Sequence, residues 1–352
     1  MSLIDLYSDT QTRPTDGMRQ AIAGAEVGDE QKREDPSVNR LQDRVAELLG
    51  HEAGLFLPSG TMCNGIGFRL HIRAGGDELL LHRWSHPIVA EAGGPAELAG
   101  AMVNRLDGDG GMFTAEAVEQ ALWPDDRYMP RSRLVAVEQT TNMGGGRVWP
   151  LEQIQAVQDV AGRHGMRTHL DGARLLNAVV AAGVPAADYA SGFDTAWLDF
   201  SKGLGAPVGA VLCGSRELIE EAWRWKQMLG GAMRQAGMLA AGGLYALDHH
   251  VERLAEDHEN ASVLADGLRS LGLDVLPQET NIVIASVEDP AAVIAALAAE
   301  DVRISSAGRG RIRCVTHLDV DRAGVDTALP RSRRCWQRPS GSSRLGRLRT
   351  DL

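Results

Sequence analysis

The chain has 352 residues, 44% of them hydrophobic and 24% charged, with a formal net charge of −11. That length carries one large and one smaller core, and the acidic balance argues against a nucleic-acid partner or an anionic membrane surface. Four scattered cysteines, Cys63, Cys213, Cys314 and Cys335, show no Cys-x-x-Cys spacing, which argues against a disulfide scaffold or a structural zinc site.

The opening, Met1 to Asp9, has no cationic lead and no long apolar stretch, so no signal peptide is expected. No run approaches the roughly 18 apolar residues of a membrane span. A cytoplasmic setting is the expectation. Further along, short apolar runs alternate with helical periodicities. Strands are expected at 54–57, 78–81, 134–137, 167–170, 195–199 and 208–213, and helices at 36–49, 60–72, 114–122, 151–164 and 216–228. Strand–helix alternation of this kind predicts an α/β fold with a mostly parallel sheet. Beyond residue 242 the pattern changes to one long helix over 243–271, short strands at 273–276, 281–285 and 311–315, and a helix at 290–300, as in a small α+β unit. The expected organisation is an N-terminal arm (1–14), a large domain (15–242), a small C-terminal domain (243–329) and a tail (330–352). Pro330 is expected to stop the last helix. The tail from 331 onward holds seven arginines and one aspartate, a composition expected to be disordered.

The densest chemistry lies in two clusters, His169-Leu170-Asp171-Gly172-Ala173-Arg174 and Ser201-Lys202-Gly203-Leu204-Gly205. A lysine followed by glycine presents an uncrowded amine that can form a Schiff base with a carbonyl cofactor, and an aspartate can partner a cofactor's ring nitrogen. Both clusters follow apolar runs, where open α/β sheets carry their chemistry. The pair points to pyridoxal phosphate. Read singly, Lys202 is also a loop lysine and Asp171 also a helix cap. Pro58-Ser59-Gly60-Thr61 precedes a helical pattern and offers amides for a phosphate, or simply a capped helix. His82 and His86 are four apart, but nothing nearby completes a metal site. His86 fits better as a ring stacked on a flat cofactor or as a core histidine. Thr141 to Gly146 reads as a tight turn beside the site. Arg311 and Arg313 share a strand face, where a guanidinium fork suits a substrate carboxylate.

The chain also resembles a family. Ser8-Asp9-Thr10, Thr12-Arg13-Pro14, Gly28-Asp29, Glu34 to Leu41, Ser59-Gly60-Thr61, His86 with Glu91-Ala92-Gly93-Gly94, His169 to Arg174, Ser201 to Gly209, Gly230 to Gln235 and Arg313 to His317 are similar, in order, to the low-specificity L-threonine aldolases. The resemblance implies a fold-type-I, aspartate-aminotransferase-like enzyme that uses pyridoxal phosphate. Such an enzyme cleaves L-threonine, L-allo-threonine or a related β-hydroxy-α-amino acid to glycine and an aldehyde. Its partners are the small amino-acid substrate and further copies of itself, as a homotetramer or a homodimer with shared sites. It further implies that Lys202 carries the cofactor, that Asp171 pairs with the pyridine nitrogen and that His86 stacks on the ring; the candidate base is His86 or a water it positions. Ser59, Gly60 and Thr61 would hold the phosphate. Ser8, Arg174 and Arg313 would bind the substrate carboxylate, Arg174 also lying at the cofactor, and Arg234 would reach a neighbouring subunit's phosphate. The sequence departs from the family pattern at Lys32, where a tyrosine is common, at Thr141, where a histidine is common, and at Gln227, where a lysine is common. Two alternatives accompany this reading: a pyridoxal-phosphate β-eliminating lyase, and a non-catalytic binding protein of the same fold.

Overall fold

The computed structural model describes residues 3–337. A seven-stranded sheet forms its centre, in the order Ala53–Leu57, Ala210–Gly214, Thr195–Asp199, Arg167–Gly172, Arg131–Glu138, Asp77–His82, Met102–Leu106. Only Ala210–Gly214 runs antiparallel to its neighbours. Strands such as Asp77–His82 and Thr195–Asp199 are buried along their whole length, as expected where helices cover both faces. After Asp77–His82 the next strand is added on one side and Arg131–Glu138 on the other. The strand order therefore reverses there, and α/β sheets place ligands outside the strand ends at such a point.

Local chemistry sets the helix boundaries. Helix Pro36–Leu49 starts where the Asp35 carboxylate accepts from the Val38 amide at 3.0 Å, with proline at its first position, and stops at Gly50 in the left-handed region. Its buried stripe, Val38, Leu41, Val45 and Leu49, recurs at helical spacing and packs on the sheet core.

A second core lies under a four-stranded antiparallel sheet in the order Ser305–Ser306, Arg311–Val315, Ile282–Ser286, Asp274–Val275. The N-terminal arm is built into this core. Ile4–Asp5 pairs in parallel with Val302–Arg303, and Ile4 and Leu6 are buried there.

Two expectations are corrected. The single helix over 243–271 is in fact two, Gly237–His249 and Leu254–Ser270. The first packs Ala240, Leu244 and Ala246 into the large core, and the second packs Ala261, Leu264 and Leu268 into the small one. Apolar periodicity continues across the break, so it gives no sign of the change of partner. Pro330 does not stop the last helix, which runs Arg322–Gln337. Proline costs about 3 kcal/mol inside a helix, but the turn beyond it is anchored. Arg331 and Ser332 are buried, Arg331 Nη1 donates to Glu300 O at 2.8 Å, and Ser332 Oγ donates to Ala328 O at 2.9 Å. The rest of the tail, 338–352, lies outside the described residues. No helix among the described residues is long and apolar enough to cross a membrane.

Candidate active site

A cavity of about 490 Å³ opens at the C-terminal ends of the parallel strands. It brings together Ser8, Ser59, Gly60, Thr61, His86, Asp171, Arg174, Lys202 and Arg313 from six separate stretches of sequence. Arg234 lies elsewhere. It is exposed, and its Nη1 donates to Asp29 at 3.0 Å.

Lys202 sits on a turn that fixes its backbone. Phe200 N donates to Gly209 O, Ala206 N to Phe200 O and Gly205 N to Lys202 O, at 2.9–3.0 Å. Thr12 Oγ1 of the N-terminal arm donates to Lys202 O at 2.8 Å. Gly209 closes this turn with φ 111°, and a Cβ there would lie 2.5 Å from the Phe56 ring. The Lys202 ammonium is ion-paired with buried Asp199, whose other oxygen accepts from the Ser201 amide and hydroxyl, both at 2.8 Å.

Asp171 forms the floor. Its Oδ1 accepts from Ala173 N at 3.0 Å and its Oδ2 from Asn64 Nδ2 at 2.9 Å. The same Asn64 Nδ2 donates to Glu91 Oε1 at 2.8 Å, and Glu91 Oε1 takes His86 Nδ1 at 2.7 Å. Burial raises the Asp171 carboxyl above its ordinary range, against the Asn64 hydrogen bond and the charges of His86 and Lys202, which lower it. The hydrogen bond to Glu91 raises His86 and outweighs its partial burial. Glu138, at the end of the strand beside Asp171, lines the same cavity. It accepts from the backbone amides of His86 at 3.1 Å and Asn142 at 3.2 Å. Burial, reinforced by the Asp171 charge, pushes its carboxyl up to about 7.

The opposite wall comes from the arm and from strand Arg311–Val315. Asp9, fully buried, takes Arg174 through two parallel bonds of 2.7 Å from Nε and Nη2, and also accepts from Asn281 Nδ2 at 3.1 Å. Burial opposes ionisation of Asp9, but the Arg174 charge and hydrogen bonds override it and hold the carboxyl well below the usual range. Arg313 has only a long 3.5 Å contact from Nη2 to Ser8 Oγ, and its buried Nε has no partner among the described residues. Burial, with the neighbouring Arg174 charge, lowers its guanidinium to about 10.

These groups fit pyridoxal phosphate. In helix Gly60–His71, Ser59 Oγ accepts from Met62 N and Ser59 O from Cys63 N, which leaves the Gly60 and Thr61 amides at the positive end for a phosphate. A Cβ on Gly60 would meet the Trp197 ring at 2.3 Å, so glycine alone lets this helix end approach the sheet. An amine, an acidic floor and a phosphate cradle share one cavity. Asp9, Asn64, Glu91, Glu138, His169 and Asp199 were not singled out by the sequence, although each stands within or beside a quoted motif. Of the departures from the family pattern, neither Lys32 nor Thr141 lines the cavity. Gln227 lines a separate, larger groove of about 1490 Å³ that contains no residue of this site.

Comparison with known proteins agrees with this chemistry. A family model described as beta-eliminating lyase matches residues 5–290. The low specificity L-threonine aldolase of Escherichia coli (strain K12) is 41% identical over 323 residues, 91% of this chain and 95% of that one. Low-specificity L-threonine aldolase 1 of Arabidopsis thaliana is 37% identical over 340 residues, 94% of this chain and 95% of that one. Among solved structures, the Leishmania major threonine aldolase superposes with a TM-score of 0.81 at 20% identity, covering 94% of this chain and 98% of that one. A Thermus thermophilus aspartate aminotransferase variant gives 0.72 at 15% identity, covering 95% and 92%. At those identities the likeness speaks to the fold.

Proposed function

The chain belongs to the beta-eliminating lyase family and to the low-specificity L-threonine aldolases, and from that premise we propose that it cleaves L-threonine, L-allo-threonine or a related β-hydroxy-α-amino acid to glycine and an aldehyde. The fold is type I and the cofactor is pyridoxal phosphate. The observation that carries the proposal is the meeting of the Lys202 amine, the Asp171 carboxylate and the half-used Arg313 guanidinium in one cavity.

When bound, the cofactor supplies an electron sink for a bond broken at the amino acid's Cα. Lys202 Nζ is the amine that would hold it, and Asp171 would keep a proton on its ring nitrogen. The Gly60 and Thr61 amides, with Ser59, would take its phosphate, and the His86 ring would stack on it. Arg313 and Ser8 hold the substrate carboxylate, and Arg174 flanks them. That grip decides which Cα bond stands ready to break. The β-hydroxyl proton passes to His86 or Glu138 as the Cα–Cβ bond opens, the aldehyde leaves, and a proton returned to Cα completes glycine.

The test is product analysis. The holoenzyme is incubated with L-threonine, L-allo-threonine and phenylserine and their D-isomers. Glycine and aldehyde in equal amounts are expected from the L-compounds. The family's description favours a second reading, β-elimination, which yields a 2-oxo acid and ammonia in the same assay. Arg234 is exposed and does not line its own chain's cavity, which supports assembly into a homo-oligomer in which it serves a neighbouring site; light scattering and an Arg234→Ala cofactor titration test this. The described cysteines are buried and unpaired, which supports a reducing, cytoplasmic setting.

A further inference from the structure

Behind Asp171 runs a buried hydrogen-bonded chain that the reaction does not touch. Asn64 Oδ1 accepts from Trp197 Nε1 at 2.8 Å and contacts His169 Nε2 at 3.1 Å. His169 Nδ1 lies 2.8 Å from Thr195 Oγ1, and His71 Nε2 lies 2.9 Å from the same oxygen.

The direction of every bond follows from the ends. An indole N–H only donates, and ionised carboxylates only accept. Asn64 therefore turns its oxygen to Trp197 and its amide to Asp171 and Glu91. Since His169 Nε2 faces that oxygen, Nε2 carries the proton and Nδ1 accepts from the Thr195 hydroxyl. The Thr195 oxygen is then free to accept from His71. Burial lowers His169 to about 3, with the neighbouring His71 adding to the effect, and burial lowers His71 to about 4. Both rings are thus neutral and tautomerically defined at neutral pH. The helix carrying Asn64 is shaped for this arrangement. A Cβ at Gly60 would meet Trp197 at 2.3 Å, and one at Gly67 would meet His169 at 2.4 Å. The two glycines, four residues before Asn64 and three after it, make room for the two rings that donate to it.

We propose that Thr195, His169 and Asn64 are positioning residues. They form a one-way donor chain that keeps the buried Asp171 carboxylate oriented and ionised toward the cofactor's ring nitrogen. Aligned donors polarise one another and stabilise the charge at the end of the chain. The inference rests on Asp171 facing that nitrogen, as read above.

The first test needs no cofactor. Nitrogen-15 spectra of His169 in the apoprotein are expected to show the proton on Nε2; a proton on Nδ1 reverses the chain and overturns the proposal. The second uses Thr195→Val, which keeps volume and removes the hydroxyl. Cofactor affinity is expected to fall about tenfold, the low end of what outer hydrogen-bond partners contribute around anchored ligands. The pH at which the bound cofactor's absorbance titrates is expected to shift. Asp171 is also faced by His86, Glu91, Glu138 and Lys202, and Asp199 and Arg174 line the same cavity. Thr195→Val leaves all six in place, so the shift reports the chain. Thr195→Ser restores the hydroxyl and is expected to restore both readouts. An unchanged affinity and titration in Thr195→Val, or a Thr195→Ser variant as impaired as Thr195→Val, refutes the inference. Failure of the aldolase assay with the His169 result intact would instead remove the functional reading and leave the chain.

Discussion

The two walls of the cavity are finished differently. On the wall built from the sheet and helix Gly60–His71, every functional carboxylate is held. Asp171 has Asn64 and Ala173, Glu91 has Asn64 and His86, and Glu138 has two backbone amides. On the wall built from the arm and strand Arg311–Val315, Arg313 is half-used, and its buried Nε has no partner among the described residues. A resident cofactor calls for a surface complete in itself. A substrate that comes and goes calls for donors whose partner is the substrate, since leaving a buried donor unmet costs about 1–3 kcal/mol and that cost is relieved on binding.

Breaking the finished wall carries the largest effect. Lys202→Ala removes the attachment amine, and borohydride reduction of the wild-type holoenzyme followed by peptide mapping is expected to label Lys202 alone. Asp171→Ala is expected to lose several orders of magnitude in turnover, because the ring nitrogen then loses its counter-charge. Near-normal turnover with cofactor bound would contradict the assignment.

Glu138→Gln comes next. General bases contribute about 10²- to 10⁴-fold. Burial pushes the Glu138 carboxyl up to about 7, so its base form grows as pH rises through the neutral range, and kcat should climb with it. In Glu138→Gln that limb is expected to flatten, while exchange of the glycine α-proton, which needs no β-hydroxyl base, continues. A limb that persists unchanged assigns the proton to His86.

On the other wall, Arg313→Ala is expected to raise KM roughly a hundredfold with cofactor still bound, within the 2–5 kcal/mol of a truncated buried charge pair. Asp9→Asn tests the contrast from the opposite side. It strips Arg174 of its carboxylate partner and leaves a buried charge, so a loss of about 3–5 kcal/mol in stability is expected. Asp9 is depressed in the folded protein. Its contribution is therefore full above its unfolded value of about 4 and fades as pH falls toward the folded one. Acid melts of wild type and Asp9→Asn should converge only at low pH. A KM effect in Asp9→Asn as large as that in Arg313→Ala, without destabilisation, would erase the distinction between anchor and support.

The same contrast explains what the sequence revealed. Lys202, Asp171 and Arg313 sit in short motifs whose chemistry can be read one residue at a time, and strands such as Thr195–Asp199 are marked by apolar runs. Asn64 gives a weaker signal, a polar residue on a helix face shared with Gly60 and Gly67. Its meaning depends on Trp197 and His169, more than 100 positions away. Asp9 and Arg174 are separated by 165 positions. Pairings of that range are set by the sheet order, which local pattern does not encode. The break at His250 was missed for a related reason: the apolar period survives while the core it serves changes.

The smallest effect concerns the last helix. Composition and Pro330 argue that the chain past Leu329 is expendable. Yet Arg331 donates to the carbonyl of Glu300, Ser332 is buried, and Arg334 pairs with Glu300 at 2.9 Å. Both bonds tie the last helix to Glu300, and none of the three residues lines the cavity that holds Lys202 and Asp171. Truncation after Leu329 should therefore leave kcat and cofactor content unchanged while lowering Tm. The buried Arg331 bond to a carbonyl contributes about 1.5–3 kcal/mol, and the exposed Arg334 pair contributes at most about 1. At about 2–4 °C per kcal/mol for a chain of this class, the shift should be several degrees. An unchanged Tm would mean that Pro330 does end the structured helix. A fall in cofactor affinity would mean that the small core transmits its packing to strand Arg311–Val315, and so to Arg313.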